Sequence, residues 1–168
     1  MAAKALGTYV CLNRVGVGDP TVVDTAQGYP LGTIVRAVDV GPTAYGEVEL
    51  IYLKGGTSVA ARSVVTINSD WSTTLIAARA KGAVAVSLAA VDATTKYGWF
   101  VCKGKAAAAS DTVADAAACY IDGTAGRIDD AAVAGDQVIG MQTASADDTN
   151  TCVVNMTGRP AVADFDNA

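Results

Sequence analysis

Short apolar runs recur along this chain at intervals of about ten residues, each closed by Gly, Pro, Asp or Asn. The clearest run, Glu47 to Leu53, begins with alternating charged and apolar side chains. Alternation places every second side chain on one face of a strand, whereas a helix needs apolar residues three or four positions apart. The pattern therefore predicts an all-β protein, a β-sandwich or β-barrel of many short antiparallel strands with few or no helices. The predicted strands cover residues 9–12, 33–38, 47–53, 58–67, 83–88, 97–102, 137–141 and 151–156, with further strand positions at Ile121 and Ile128.

Two Ala-rich segments, residues 72–80 and 106–118, are compatible with helices on propensity alone. The second has no wide apolar stripe, and the polar residues 110–112 interrupt it. We therefore predict strand, turn and strand over residues 106–118. For residues 72–80 the sequence leaves both structures open.

The order of these runs suggests two small β units. The polar residues 68–70 precede a segment without clear alternation, which marks a possible division. The predicted organisation is an N-terminal arm over residues 1–28, a first β unit over 29–70, a connection over 71–82, a second β unit over 83–160 and a tail over 161–168. The alternative is that both units pack as a single domain.

Charge and composition exclude several classes of partner. The net charge is −5, and the 12 Lys and Arg residues are scattered, so the chain lacks the basic patch that binds nucleic acid or an anionic membrane. Gly and charged residues interrupt every apolar stretch well before the roughly 20 residues that cross a bilayer. Aromatic residues make up only 6% of the chain, so its core has small side chains, and additional burial between subunits would offset this. We expect a homo-oligomer made in the cytoplasm.

No arrangement of residues in the sequence predicts catalysis, a metal site or a cofactor. The chain has no His, which excludes Ser-His-Asp and Cys-His sites. The neighbouring carboxylates Asp129-Asp130 and Asp147-Asp148 fall in predicted turns, and adjacent strand residues face opposite ways. Oxygen ligands at 164–167 lack the glycine and distal glutamate of a calcium loop, so a solvated tail is predicted there.

The cysteines are expected to be structural. Four are present, far apart in the sequence and without a C-x-x-C pair, so a zinc site is not expected. We predict buried free thiols that act as small apolar side chains. These residues are Cys11, Cys102, Cys119 and Cys152.

Several motifs resemble small head-associated proteins encoded beside the major capsid gene of tailed phages. In the first half they are residues 29–33 (YPLGT) and 46–55 (GEVELIYLKG). In the second half they are residues 97–104 (YGWFVCKG), 120–122 (YID), 124–130 (TAGRIDD), 133–140 (VAGDQVIG), 153–156 (VVNM) and 159–160 (RP). The resemblance implies a capsid decoration or cement protein: a β-rich, often trimeric structural protein that sits on the outer capsid surface and bridges neighbouring capsomers of the major capsid protein.

We predict interface residues from this implied role. The N-terminal stretch precedes the matched region, and we expect it to reach toward the capsid or a neighbouring subunit; deletion of residues 2–20 is then expected to abolish capsid binding and leave a folded product. Trp71, in a polar turn, is a candidate surface aromatic. The predicted interface residues are Lys4, Tyr9, Arg14, Tyr29 and Trp71.

Three other functions are compatible with the sequence. A receptor- or glycan-binding module of a head fibre or tail would share the β architecture, and its binding would depend on Trp71. A small hydrolase would have to work through carboxylates. A cellular β-sandwich of unrelated role is the third.

Overall fold

The computed structural model describes residues 3–14 and 16–162, and this part of the chain forms eleven β-strands and no helix. The strands are β1 (Tyr9–Cys11), β2 (Ile34–Asp39), β3 (Glu47–Lys54), β4 (Val64–Ile67), β5 (Thr73–Leu75), β6 (Gly82–Ser87), β7 (Tyr97–Ala109), β8 (Ala118–Ile121), β9 (Ile128–Asp129), β10 (Gln137–Thr143) and β11 (Thr151–Val162). All named strand pairs are antiparallel. The predicted all-β class is confirmed. Over the described residues, no helix is long and apolar enough to cross a membrane.

The Ala-rich segments adopt extended structure. β7 continues through Ala109 and a turn leads to β8, which confirms the predicted strand, turn and strand. Residues 72–80, for which the sequence left helix and strand open, contain the short strand β5 and no helix. The run over residues 58–67 is a strand only from Val64, because Ser58 and Arg62 adopt positive φ angles of 63° and 73° that interrupt a ladder.

The strands join in one continuous sheet. Its order is β1-β2-β3-β7-β6-β11-β10-β8-β9, and β4 pairs with both β5 and β6. β7 pairs with β3 and β6 through its first half and with β11 through its second half. The last residues of β11 then pair with the start of β6. β11 therefore enters a fork between β6 and β7.

The fork opens at Gly104. This residue has a φ of 96°, and the register between β3 and β7 shifts between Glu49 and Leu50, beside it. A positive φ of this size is readily adopted only by glycine. Gly104 thus lets β7 leave its partner β3 and continue against β11.

One main core spans both halves of the chain. It joins Val35 and Leu50 to Met141 and Val154, all of them buried. β3 pairs with β7 and β4 with β6, so the sheet crosses the boundary expected within residues 71–82. The two predicted β units therefore pack together around shared side chains.

A second apolar cluster lies on the other face of β3, β4, β6 and β7. Alternation along β3 directs Leu50 and Tyr52 into the main core and Ile51 and Leu53 into this second cluster. Phe100 of β7 is fully buried there. The centre of the sheet is thus covered on both faces, which explains the nearly continuous apolar run at the end of β3.

The N-terminal segment lies on the sheet of its own chain. β1 pairs with β2, and Tyr9 is only 6% exposed. Further along, the N–H of Asp24 donates to the carbonyl of Tyr97 at 2.9 Å, and the N–H of Tyr97 donates back to Asp24 at 2.9 Å. Val10, Leu12 and Val22 of the same segment are nevertheless 51%, 54% and 58% exposed, so the segment is attached to its own sheet and still presents apolar side chains to its surroundings. Its expected contact with the capsid or a neighbouring subunit stays a prediction.

Candidate functional site

A cleft with mostly apolar walls opens beside Trp71. Its volume is about 330 Å³, and strands β2, β3, β4, β6, β7 and β11 contribute to it. We call it the Trp71 cleft; its lining residues are Ile34, Ile51, Ile67, Asn68, Ser69, Trp71, Ala83, Val84, Cys102 and Arg159. A mainly apolar pocket with a few polar groups at its edge is the usual form of a ligand or partner site.

Trp71 is held in place by its backbone and by a glycine below its ring. Its φ is 63°, its N–H donates to the carbonyl of Asn68 at 3.0 Å, and its carbonyl accepts from the N–H of Lys54 at 3.0 Å. A Cβ atom at Gly32 would lie 2.8 Å from Trp71 Cε2, so only glycine leaves room for the ring. Trp71 nevertheless remains 43% exposed. The ring is therefore a fixed, partly exposed aromatic surface at the edge of the cleft.

Charged side chains line the same region of the sheet. Arg36 forms an ion pair with Glu47, and Glu49 forms ion pairs with Lys103 at 3.4 Å and Arg159 at 3.2 Å. We call these five residues the charged band. Three cations share two carboxylates, so the band has one positive charge in excess, although the whole chain carries −5.

The electrostatics of Glu49 follow from this sharing. Burial tends to raise the pKa of Glu49, but the hydrogen bond from Arg159 and the charge of Lys103 outweigh it and lower the pKa. Next to it, Cys102 Sγ donates to the carbonyl of Glu49 at 3.4 Å, and burial raises the pKa of Cys102 to about 11. Cys102 is thus a protonated apolar wall of the cleft at neutral pH, and Glu49 is ionised.

An aromatic cluster occupies the opposite face of the sheet. The ring of Tyr52 lies 5.0 Å from Trp99 and 5.1 Å from Tyr29. Its hydroxyl donates to Asp24 at 2.6 Å and accepts from the N–H of Gly28 at 3.1 Å. Burial and the Asp24 hydrogen bond raise the pKa of Tyr52. These contacts fix the N-terminal segment to the core.

The predicted interface residues do not form one surface. The N–H of Lys4 donates to Thr151 Oγ1 at 2.8 Å, and Tyr9 is buried with its hydroxyl 3.4 Å from the carbonyl of Lys105. Arg14 lies over the ring of Tyr29, 5.4 Å from its centre, and these two are the pair that the fold brings together. Trp71 stands apart at the cleft.

Sequence reasoning missed the charged band. Alternation of Glu47 and Glu49 in a predicted strand was a usable signal for a charged face. Arg159 gave none, because it lies 110 residues from Glu49 in the sequence and reaches it only through the fork.

The carboxylate pairs bind turn and loop backbone. Asp130 Oδ2 accepts from the N–H of Ala114 at 2.8 Å, and Asp129 Oδ1 accepts from the N–H of Ala131 at 3.2 Å. Asp147 accepts from the hydroxyl of Ser110 and from the N–H of Asn150. Burial, and then neighbouring carboxylates, raise the pKa of Asp129. These contacts are those of structural carboxylates that fix loops.

The cysteines lie within the described residues and form no disulfide. All four cysteines are free thiols; three are buried and Cys11 is partly exposed, so the prediction of burial is corrected for Cys11. Within residues 3–14 and 16–162, no group of three or more His, Cys, Asp or Glu side chains is placed to hold a metal ion. The oxygen ligands at 164–167 lie outside the described residues.

No protein-family profile and no curated protein matches the chain. The resemblance to phage head proteins therefore stays a prediction from the residues quoted above. The Trp71 cleft and the charged band beside it are the surface features from which a function can be argued.

Proposed function

We propose that the chain is a non-enzymatic structural protein of a tailed-phage virion, which decorates the outer capsid surface as a homo-oligomer, with a trimer as the expected form. Its partner is the major capsid protein, and its role is to bridge capsomers. The antiparallel all-β fold and the series of motifs shared with head-associated proteins support this proposal. Asp129, Asp130 and Asp147 support the non-enzymatic part of the proposal, because these carboxylates bind loop backbone and thereby stabilise the fold.

The charged band is the observation that carries the proposal. Arg36 and Glu47 are 58% and 50% exposed through their side chains, so both can contact another protein. Charges of both signs on one face fix the register of a partner and disfavour wrong partners. Such contacts are weak singly, but a subunit that touches several capsomers gains affinity by avidity.

Co-sedimentation with capsids of the same virus, stripped of this protein, tests the proposal. We expect saturable binding at a fixed ratio to the major capsid subunit. Binding should weaken as salt rises, because exposed charge pairs are screened. A folded, oligomeric protein that does not bind these capsids would refute decoration.

A pair of charge-reversal variants assigns the binding to the charged band. Arg36→Glu should weaken binding about tenfold, or about 1.4 kcal/mol, because it places like charges beside Glu47 and removes a contact for the partner. Lys96→Glu is the matched control, since Lys96 also forms an exposed ion pair, with Asp92 at 2.6 Å. Its strand neighbour Tyr97 pairs with Lys54, seven residues or roughly 23 Å along β3 from Glu47. Equal losses in the two variants would exclude the charged band as the contact.

The N-terminal segment needs a different test from deletion. Removing residues 2–20 would remove β1 and the buried Tyr9, so the product is now expected to be destabilised. Arg14→Glu changes an exposed side chain instead. Reduced capsid binding by folded Arg14→Glu would support a contact by this segment, and unchanged binding would exclude Arg14 from the interface.

A glycan- or receptor-binding module is the second candidate, and Trp71 favours it. An aromatic ring that is fixed and partly exposed is a suitable surface for stacking of a sugar. Host cells or host polysaccharide should then bind the wild-type protein and Trp71→Phe, and lose binding to Trp71→Leu. Equal binding by Trp71→Leu and the wild-type protein would exclude this function.

A further inference from the structure

The Trp71 cleft has the size and the walls of a site for a compact apolar ligand. Its volume of about 330 Å³ lies at the lower end of the range for small-molecule sites, which suits one ring with a short substituent. Ile34, Ile51 and Ile67 supply branched apolar walls, and the indole ring of Trp71 forms one edge. A flat ring can therefore pack between the indole and these side chains.

A single cation stands beside these walls. Among the described residues that line the cleft, Arg159 is the one charged side chain, and none is acidic. Arg159 Nη2 donates to Glu49 Oε2 at 3.2 Å, and within the described part of the chain the other guanidinium nitrogens donate to no partner. A guanidinium with free N–H groups matches the two oxygens of a carboxylate.

The positive charge of Arg159 is only partly neutralised by Glu49. The same carboxylate also pairs with Lys103, whose Nζ lies 3.4 Å from Glu49 Oε1. Two cations on one carboxylate leave one positive charge, which a single bound carboxylate would balance. Lys103 also keeps Glu49 paired when Arg159 turns to a ligand.

The amide at the other polar part of the cleft offers nothing to an anion. Asn68 Nδ2 donates to Ser72 Oγ at 2.9 Å and to Thr74 Oγ1 at 3.1 Å, so both of its hydrogens are engaged. The remaining polar atom of this side chain is an acceptor, which repels an oxyanion. Charge complementarity therefore directs a ligand carboxylate to Arg159.

We propose that the Trp71 cleft binds a compact aryl carboxylate, whose ring packs between Trp71 and the isoleucine walls and whose carboxylate is held by Arg159. This ligand class differs from the glycan considered above, because isoleucine walls leave the hydroxyl groups of a sugar unpaired. Binding of such a ligand does not depend on capsid decoration.

Tryptophan fluorescence of the full-length protein tests this with three small molecules. Trp99 is only 3% exposed and lies in the main core, so a ligand should change mainly the emission of Trp71. Phenylacetate should give a saturable change with a Kd of about 1 mM, as expected for a ligand of about ten non-hydrogen atoms. Phenylacetamide has the same shape without the charge and should bind about tenfold more weakly, and acetate should not saturate in the same range. Equal affinities for phenylacetate and phenylacetamide, or no saturation with either, would overturn the proposal.

Matched variants assign the two parts of the contact. Arg159→Met keeps an apolar stem and removes the charge, so the affinity for phenylacetate should fall about tenfold while that for phenylacetamide stays unchanged. Arg36→Met removes a cation of the charged band that does not line the cleft, and it should leave both affinities unchanged. Ala83→Leu places a larger side chain in the cleft and should weaken both ligands. Equal losses of phenylacetate binding in Arg36→Met and Arg159→Met, or unchanged binding in folded Ala83→Leu, would overturn the assignment to this cleft.

Discussion

Gly104→Ala should be among the most destabilising single-methyl changes in the chain, because Gly104 opens the fork in the sheet. A Cβ atom at this position would lie 2.7 Å from the carbonyl oxygen of Glu47 and 3.1 Å from Val48 Cα. Both are backbone atoms of β3, so they cannot turn aside as a side chain would. The φ of 96° is also strained for any residue with a Cβ atom.

The two effects give the expected magnitude. A positive φ costs an L-residue about 1–2 kcal/mol. The displacement of β3 adds about 1–2 kcal/mol, which is typical of an overpacked core site. The free energy of unfolding should therefore fall by about 2–4 kcal/mol, and each kcal/mol lowers the Tm of a chain of this size by about 2–4 °C.

Urea denaturation of three variants separates the effects. Gly46 has a φ of 75° with no atom within 4 Å of its would-be Cβ, so Gly46→Ala measures the backbone strain alone, about 1–2 kcal/mol. Gly158, in β11, also has free space and has no positive φ, so Gly158→Ala should leave stability unchanged or raise it slightly. If Gly104→Ala costs no more than Gly46→Ala, the close approach of β3 does not constrain this position and the reasoning is refuted.

Three more predictions follow from single contacts. Tyr52→Phe removes the hydroxyl that donates to Asp24 and accepts from the N–H of Gly28. The free energy of unfolding, measured by urea denaturation, should fall by about 1–3 kcal/mol. An unchanged free energy would show that water replaces the hydroxyl. Burial tends to raise the pKa of Asp39, but hydrogen bonds from the Thr43 hydroxyl and from the N–H groups of Tyr45, Gly41 and Thr8 outweigh it and lower the pKa. The contribution of ionised Asp39 to stability is therefore present above about pH 4 and is lost as the pH falls through the lowered value. Asp39→Asn should therefore lose less stability than the wild-type protein between about pH 4 and pH 2 in acid titrations followed by circular dichroism, and parallel curves would contradict this. Burial raises the pKa of Cys102 and Cys152 to about 11 and that of Cys119 to about 12. A thiol reagent at about pH 8 should therefore modify Cys11 alone in the native protein, and the other three cysteines only in denaturant. Rapid reaction of a second thiol in the native protein would contradict their burial.

Local patterns predicted most of the strands. Alternation and glycine-bounded turns located β2, β3 and β6 to within two residues, because these signals depend on neighbours in sequence. The late start of β4 escaped prediction, since the positive φ of Arg62 is a conformation that its residue type does not indicate.

Long-range pairing limited prediction of the site. The fork places β11 between β6 and β7, and this depends on a register that a single sequence does not encode locally. Arg159 therefore reaches Glu49 without any signal in the sequence. Trp71 was recognised as a surface aromatic, but the cleft beside it is assembled from six strands and was not predicted.

The fork also sets the order in which the chain can fold during synthesis. β6 and β7 each keep an unpaired edge until β11, the last described strand, has been made. Lys4 likewise waits for Thr151, 147 residues later, before its N–H is satisfied. Closure of such distant pairs is slow, and open strand edges are prone to pair with other chains. We therefore expect folding to be completed only after translation has passed β11, and nascent chains stalled before it to be prone to aggregation.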